Sequence, residues 1–186
     1  MAAINVKKAA FLLVVLSSTV GAQLFGSVQL KNEQNMETVS VGAQDAESAI
    51  RALEAKFVAA FNAGDIDAMM KNYIPDKSLV VFDVVLRKQY LGADAYRDDW
   101  MEFFSHFQGK PKIEITDLGV TADENIGFGH SFQHVTGTNK QGRPVDRWVR
   151  VTDGYRKIGG KWLIVMEHIS VPVDLKTGKA GLTWKP

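Results

Sequence analysis

The chain has 186 residues, of which 46% are hydrophobic and 23% are charged, the composition of a globular domain with a sizeable apolar core. Its 22 basic and 21 acidic residues give a net charge of +1, and because no basic block stands out, the composition argues against a nucleic-acid partner. The chain has no cysteine, which excludes disulfides, thiolate metal sites and a catalytic thiol.

The first 22 residues have the pattern of a secretory signal peptide. A basic pair at positions 7–8 precedes a short apolar run at 9–16, and small residues lead up to a cleavage point after Ala22. The alternative, a membrane anchor, needs about 20 apolar residues, and this run is well short of that length. We therefore expect a secreted or periplasmic protein that has no membrane contact after cleavage.

The folded domain is expected over residues 45–175, because residues 23–44 are mostly polar, show no sustained period and predict a flexible leader. The domain begins with an amphipathic helix over residues 45–63, in which apolar side chains recur every three to four positions. A short second helix is predicted over residues 66–73, and a third over residues 94–107.

Strands are predicted between the second and third helices and again after the third. Residues 78–86 are rich in β-branched side chains, with a short partner at 89–91. Beyond Pro111 the period changes to two, which predicts four further strands at 112–122, 125–138, 145–157 and 161–171. Residues 176–186 are expected to form a C-terminal tail. This order indicates an α+β fold in which a curved antiparallel sheet wraps around the N-terminal helices and leaves an internal pocket.

The glycine pair Gly159-Gly160 lies between two alternating runs and predicts a two-residue hairpin turn, since both turn positions need a positive φ. A tight turn determines which side chains share a face of the sheet. If the residues flanking the glycines pair directly, Asp153 faces Met166, and His168 lies on the same face.

A second hairpin turn, predicted at residues 140–143, places His130 opposite Asp153, with His168 one diagonal away. Directly opposed side chains lie about 5 Å apart, so these three could form a hydrogen-bonded catalytic group. We expect His168 or Asp153 to act as the base and His130 to orient it or to donate a hydrogen bond. The alternative is that these residues are purely structural.

Further side chains are expected to bind substrate in the pocket, namely Tyr73, Asp83, Trp100, Phe104, Phe132, Tyr155 and Met166. Asp83 interrupts an apolar run, and it is either a pocket acid or an edge residue that faces water. Trp100 and Phe104 could equally belong to the core. No compact ligand motif, glycine-rich phosphate loop or dinucleotide fingerprint is present, so neither a metal nor a cofactor is predicted.

The opposite face of the predicted sheet carries a candidate interface between two copies of the chain. The same register places Trp148, Arg150, Glu167 and Ile169 on this face. Arg150 and Glu167 could form a cross-strand ion pair there. A homodimer through this outer face is the expected assembly.

Four segments of the chain resemble the SnoaL-like, ketosteroid isomerase-like proteins of the cystatin-like α+β cone fold. They are FNAGDIDAMMKNY, LVVFDVV, YLGADAYRDDWMEFF and DGYRKIGGKWLIVMEHISVPVDLKTGKA, and the resemblance covers about residues 46–183. The most specific part is EHISVPVD, of the form EHxSVPVD, which is similar to an uncharacterised bacterial branch of the family.

The resemblance implies a curved sheet around a long helix, a deep pocket and, commonly, a homodimer. It also implies two alternative functions. One is a cofactor-independent isomerase, cyclase or dehydratase that acts on a small hydrophobic or aromatic molecule. The other is a non-catalytic module for ligand binding or for dimerisation and association. No local motif of this chain matches the Asp base and the Tyr/Asp donor pair of ketosteroid isomerase itself.

Overall fold

The structure, a computed structural model, describes residues 21–181 and 183–186. Nearly all of the predicted signal peptide therefore lies outside the described residues. The described part of the chain divides into two units, with the boundary between Val39 and Ser40. None of the helices among the described residues is long and apolar enough to cross a bilayer.

The described residues form three helices: α1 at Gly21–Ala63, α2 at Ile66–Met70 and α3 at Ala93–Ser105. The α1 helix begins well before the predicted start at residue 45, so residues 23–44, expected to be a flexible leader, are helical here. This segment contains Leu, Lys, Gln, Glu and Met, which favour a helix through their intrinsic propensity. It lacks the apolar stripe on which the sequence prediction depended.

The later part of α1 carries the predicted apolar stripe, and Ile50, Leu53, Phe57 and Phe61 are all buried in the core. The helix ends at Ala63, and the following Gly64 has a φ of 66°, a conformation that glycine adopts readily. Asp65 then starts α2 by accepting a hydrogen bond of 2.9 Å from the backbone N–H of Ala68.

The sheet has six strands: β1 at Val80–Phe82, β2 at Tyr90–Leu91, β3 at Lys112–Ala122, β4 at Ile126–Thr138, β5 at Pro144–Ile158 and β6 at Lys161–Ser170. Their order across the sheet is β2-β1-β6-β5-β4-β3. All neighbours are antiparallel except β1 and β6, which are parallel. The sheet is curved and does not close, and the buried side chains of α1, α2 and α3 share one core with its inner face. The predicted α+β class is confirmed.

The hairpin between β5 and β6 begins as predicted and then departs from the predicted register. Gly159 and Gly160 have φ values of 56° and 78°, and Ile158 pairs with Lys161. A β-bulge then interrupts the pairing, because Val165 has no partner on β5. Beyond the bulge the register is shifted by one residue, which exchanges the two faces of the distal part of β6.

The bulge coincides with a second set of backbone contacts on the far edge of β6. The N–H of Ile74 donates to the carbonyl of Ile164 over 2.9 Å, and the N–H of Ile164 donates to the carbonyl of Asn72 over 2.9 Å. Immediately after the bulge, β6 pairs with β1 instead. Since these partners lie far away in sequence, the pattern of β6 alone does not reveal the bulge.

The hairpin between β4 and β5 is also one residue out of the predicted register, because its loop is shorter. Thr138 pairs with Pro144, and Asn139 closes the turn by donating its N–H to the carbonyl of Arg143 over 2.9 Å. The side-chain oxygen of Asn139 accepts a hydrogen bond of 2.9 Å from the N–H of Arg143. Gly142 has a φ of 77°, as expected for the last position of a three-residue hairpin loop.

The C-terminal residues lie on the outer side of β4 and β5. The Trp184 ring packs 5.5 Å from the Phe132 ring, measured between centroids, and the Lys185 ammonium lies 3.2 Å from Asp146. The backbone of Val173 also pairs with that of Ala180. The end of the predicted tail thus packs against the sheet.

Candidate active site

The two register shifts decide which side chains face the helices. On the inner face, Asp153 pairs with Glu167 on β6 and with Gly129 on β4. On the outer face, Thr152 pairs with His168 on β6 and with His130 on β4. The predicted pairings of His130 with Asp153 and of Asp153 with Met166 are therefore wrong.

Four of the predicted site residues lie on the outer face, namely His130, Phe132, Met166 and His168. His130 and His168 are exposed, and the His168 ring meets the exposed Phe82 ring edge to face at 5.8 Å. Neither histidine reaches the interior, so the predicted catalytic group of His130, Asp153 and His168 does not form. The sheet lies between the Asp153 carboxylate on its inner face and the imidazole rings of His130 and His168 on its outer face.

Three buried carboxyl groups meet under the helices, and we call Glu54, Asp153 and Glu167 the inner carboxyl cluster. Their exposed fractions are 3%, 3% and 4%. Tyrosine hydroxyls bind them from several elements: Tyr73 donates to Glu167 Oε2 over 2.8 Å and Tyr96 donates to Glu167 Oε1. Glu167 thus accepts a hydrogen bond on each of its two carboxylate oxygens.

The other end of the inner carboxyl cluster is built around Tyr155. Its hydroxyl donates to Glu54 Oε1 over 2.9 Å and lies 3.5 Å from Asp153 Oδ2. The backbone of β4 comes so close to this hydroxyl that a Cβ on Gly129 would lie 2.9 Å from it. Gly129 therefore reflects close packing against Tyr155 Oη, which only glycine permits.

Burial dominates the electrostatics of the inner carboxyl cluster. It raises the pKa of Glu54 to about 7, against the lowering effect of the Tyr155 hydroxyl. It also raises the pKa of Glu167 to about 7, although the Tyr96 and Tyr73 hydroxyls oppose the shift. The pKa of Asp153 lies well above its usual range, because of burial first and then of the charges of Glu167 and Glu54. These surroundings favour the protonated form of Asp153.

Sequence reasoning placed Asp153 and Tyr155 in the interior but missed their partners. Glu54 lies among the apolar stripe residues of α1, three positions before Phe57, and a carboxyl at such a position is a signal of an interior acid. A register without the bulge at Val165 places Glu167 on the outer face, and the bulge turns this side chain inward. Tyr96 is 1% exposed and lies on the buried face of α3.

A cavity of about 380 Å³ lies beside the inner carboxyl cluster, between α3, the loop after β1 and the inner face of the sheet. Aromatic rings supply much of its wall: Phe61, Tyr90, Trp100 and Phe103. Aliphatic side chains from β5 and β6, Val149 and Ile169, continue it. The volume is in the range of cavities that hold small organic molecules.

Two aspartates give this apolar wall a polar part. Asp83 follows β1 directly and accepts a hydrogen bond from the N–H of Val84, and Asp99 on α3 accepts one from the Tyr90 hydroxyl. Burial, and then the charge of Asp99, raises the pKa of Asp83. Burial also raises the pKa of Asp99, although the Tyr90 hydroxyl opposes this shift. Asp83 is half-buried and lines the cavity.

Two further polar residues share the cavity wall with these acids. Trp100 is 8% exposed, but its indole nitrogen is itself fully buried, without a hydrogen-bond partner among the described residues, so a molecule in the cavity does not reach it. Gln133, 7% exposed, brings a neutral side-chain amide to the same wall from β4. This amide can donate a hydrogen bond to an oxygen of a bound molecule.

Of the residues predicted to bind substrate, Asp83 and Trp100 line the cavity. Tyr73 and Tyr155 belong instead to the surroundings of the inner carboxyl cluster. Phe104 packs on the Phe61 ring at 5.1 Å in the core rather than on the cavity wall. Across residues 21–181 and 183–186, no three side chains of His, Asp or Glu are arranged to hold a metal ion.

The predicted interface residues are divided between the two faces of the sheet. Trp148 lies on the outer side, where its ring stacks on His134 at 4.3 Å and 4°, and Arg150 is exposed beside it. Glu167 is buried among tyrosines and Ile169 lines the cavity, so the prediction is wrong for these two. The predicted ion pair between Arg150 and Glu167 does not exist, because the two side chains lie on opposite faces.

Comparison with known proteins agrees with the resemblance drawn from the sequence. The SnoaL-like domain model matches residues 50–174 of the chain. None of the curated proteins matches the chain. Several solved structures do, and those described below share the curved α+β architecture.

An NTF2-like protein of unknown function from Pseudomonas putida KT2440 is 30% identical, with a TM-score of 0.69; the match covers 77% of this chain and 99% of that chain. A ketosteroid isomerase-like protein from Erwinia carotovora atroseptica is 24% identical, with a TM-score of 0.57, over 67% of this chain and 94% of that chain. A protein of unknown function with a cystatin-like fold from Nostoc punctiforme is 18% identical, with a TM-score of 0.55, over 69% of this chain and 92% of that chain. The last two similarities establish the fold alone.

Proposed function

The chain belongs to the SnoaL-like domain family, and we propose that it is a cofactor-independent acid–base enzyme of the isomerase, cyclase or dehydratase kind. Its substrate is a small hydrophobic or aromatic molecule that binds in the cavity. The observation that carries this proposal is the presence of a carboxyl group, Asp83, and a side-chain amide, Gln133, on the wall of one largely apolar cavity.

Asp83 is the proposed general base. A base works best when its pKa lies close to the pH at which it operates, and burial shifts the pKa of Asp83 upward from that of an ordinary aspartate. Its carboxylate would remove a proton from a carbon next to a carbonyl group, and it would return that proton to a different position of the substrate.

Gln133 is the proposed donor to the substrate oxygen. When a proton leaves the carbon, negative charge builds up on the carbonyl oxygen, and a fixed N–H donor stabilises that charge. Replacing Gln133 by Met would keep the length of the side chain and remove the N–H. We expect kcat to fall by about 10²-fold, with a much smaller change in KM.

The first test is proton exchange, which needs no knowledge of the natural substrate. The protein is incubated in D2O with aryl ketones such as phenylacetone, and NMR follows the loss of the signal of the protons next to the carbonyl. We expect exchange faster than in buffer for the wild type and for Asp98→Asn. Asp98 is an exposed neighbour of Asp99 that does not line the cavity. The Asp83→Asn protein should exchange no faster than buffer.

The test also separates the enzyme from a non-catalytic binding module. If the ketones bind but the wild type does not accelerate exchange, the protein is a binding module and Asp83 is no base. If Asp83→Asn retains the full rate, another group removes the proton.

We also propose that the protein is secreted or periplasmic and that it forms a homodimer through the outer face of the sheet. The signal-peptide pattern supports the location. Exposed aromatic side chains on the outer face, Phe82 at 38% and Phe128 at 56%, support the assembly. Phe128→Glu should give monomers in light scattering, and a persistent dimer would refute this interface.

A further inference from the structure

We infer that the ligand of the cavity carries a protonated amine beside its hydrophobic or aromatic part. This inference rests on the proposed function, because it assigns a substrate class to the same cavity. It follows from the distribution of charge on the wall, from the aromatic rings that accompany it and from the enclosed volume.

The charges on the wall have one sign. Asp83, Asp99 and Glu102 all line the cavity, and no lysine or arginine is among the described residues that do so. His106 lies 3.9 Å from Glu102, at a part of the wall where both side chains are exposed. Two carboxylates in poorly hydrated surroundings repel each other, and a cation between them relieves that repulsion.

Aromatic rings stand beside the carboxylates. Tyr90 hydrogen-bonds to Asp99, and Trp100 follows Asp99 directly in α3. A cation near the face of such a ring is attracted by its electron-rich surface. The Arg87 guanidinium lies 4.5 Å from the centre of the Tyr90 ring, which shows that this ring can hold a cation. Arg87 is exposed and does not line the cavity, although its charge also lowers the pKa of Asp99.

The side-chain amide of Gln133 adds a separate requirement. It lines the cavity and is 7% exposed, and a carbonyl or hydroxyl oxygen of the ligand can accept a hydrogen bond from it. The same wall repels a ligand carboxylate, because Asp83 and Asp99 lie close by. The ligand is therefore cationic at one end and neutral and oxygen-bearing at another.

The test compares three probes that share one ring and differ in charge: phenethylamine, phenethyl alcohol and phenylacetate. Calorimetric titration near neutral pH gives the dissociation constant of each with the wild-type protein. We expect the amine to bind about tenfold or more tightly than the alcohol, since hydrogen bonds to charged groups are stronger than neutral ones. Phenylacetate should bind more weakly than the alcohol.

Two variants test whether the charge on the cavity wall causes the preference for the amine over the alcohol. Asp99→Asn keeps an acceptor for the Tyr90 hydroxyl but removes the charge, so the amine should lose its advantage while the affinity for the alcohol stays unchanged. Asp98→Asn changes the residue just before Asp99, away from the cavity, and should leave the affinities for the amine and for the alcohol unchanged. If Asp99→Asn does not fold, Glu102→Gln serves instead, with a smaller expected loss because Glu102 is exposed.

Three outcomes overturn the inference: the alcohol binds as tightly as the amine, Asp99→Asn weakens both equally, or none of the probes binds. Failure of the proposed function looks different. In that case the amine binds with the expected preference, but proton exchange is absent or does not depend on Asp83.

Discussion

Acidic side chains lie in similar apolar surroundings on the cavity wall and in the inner carboxyl cluster, but their hydrogen bonding and their burial differ. Glu167 receives a tyrosine hydroxyl on each oxygen and is 4% exposed. Asp83 is only partly buried and accepts a backbone N–H of the next residue, with open space beside it. A carboxyl group whose hydrogen bonds are complete stabilises the fold, whereas one that borders a cavity is available to a ligand.

The largest expected effect is on proton exchange, which should depend on Asp83 of the cavity wall. Asp83→Asn should lower proton exchange by about 10²–10⁴-fold, the usual contribution of a general base, without loss of stability, because the amide removes a partly buried charge. Exchange rates from NMR and melting temperatures from circular dichroism check the two halves of this prediction. A loss of exchange that occurs only together with unfolding would contradict it.

The next largest effect is on stability, which should depend more on the inner carboxyl cluster than on the cavity wall. Glu167→Ala leaves the hydroxyls of Tyr73 and Tyr96 without their acceptor and opens a void, so the free energy of unfolding should fall by about 2–4 kcal/mol. Urea denaturation measures this change. Asp99→Ala, which leaves only the partly buried Tyr90 hydroxyl without its acceptor, serves as the matched variant from the cavity wall and should cost clearly less. Equal losses would mean that the two regions do not differ.

The dependence of stability on pH should come from the inner carboxyl cluster. The pKa of Glu54 and that of Glu167 are both raised from 4.5 to about 7 in the folded protein. Groups with a raised folded-state pKa contribute stability that is complete below their unfolded pKa and is lost as the pH rises through the folded value.

The unfolding free energy should therefore fall between about pH 4.5 and about pH 7, by an amount on the order of a few kcal/mol. Urea denaturation across this range measures the slope. In Glu167→Gln the slope should be shallower, because one of the two groups no longer titrates. A slope that is the same in the variant would assign the effect to other groups.

The smallest effect concerns the packing around Tyr155. In Gly129→Ala the new methyl group would lie 2.9 Å from Tyr155 Oη, and we expect a loss of about 1–3 kcal/mol from overpacking. Gly154 is the matched control on the next strand, since a Cβ there meets nothing closer than 3.6 Å. Gly154→Ala should change the unfolding free energy by less than about 1 kcal/mol. If both substitutions are tolerated equally, Gly129 is not required by close packing.

Sequence patterns predicted the parts of this molecule that depend on local signals. The apolar stripe of α1, the Gly159-Gly160 turn and the run of late strands are all local, and the family resemblance supplied the way they pack. The turn at Asn139 was also within reach, because an asparagine three positions before a glycine suits a three-residue loop.

Local sequence patterns do not predict which face of the sheet Glu167 lies on. Its face depends on the bulge at Val165, and that bulge lies where β6 changes from one neighbouring segment to another far away in sequence. Asp83 could be found because an acid inside an apolar run is unusual. Asp99 could not, because it lies among other charged residues of α3 and only the fold brings it to the cavity.

The most direct test of the central contrast is one paired experiment on Asp83→Asn and Glu167→Gln, in which proton exchange and the pH dependence of unfolding are measured on the same samples. We expect Asp83→Asn to lose exchange and to keep the wild-type pH dependence. We expect Glu167→Gln to keep exchange within a few fold and to lose part of the pH dependence. If Glu167→Gln abolishes exchange while Asp83→Asn retains it, the catalytic carboxyl lies in the inner cluster, and the roles assigned to the two regions are reversed.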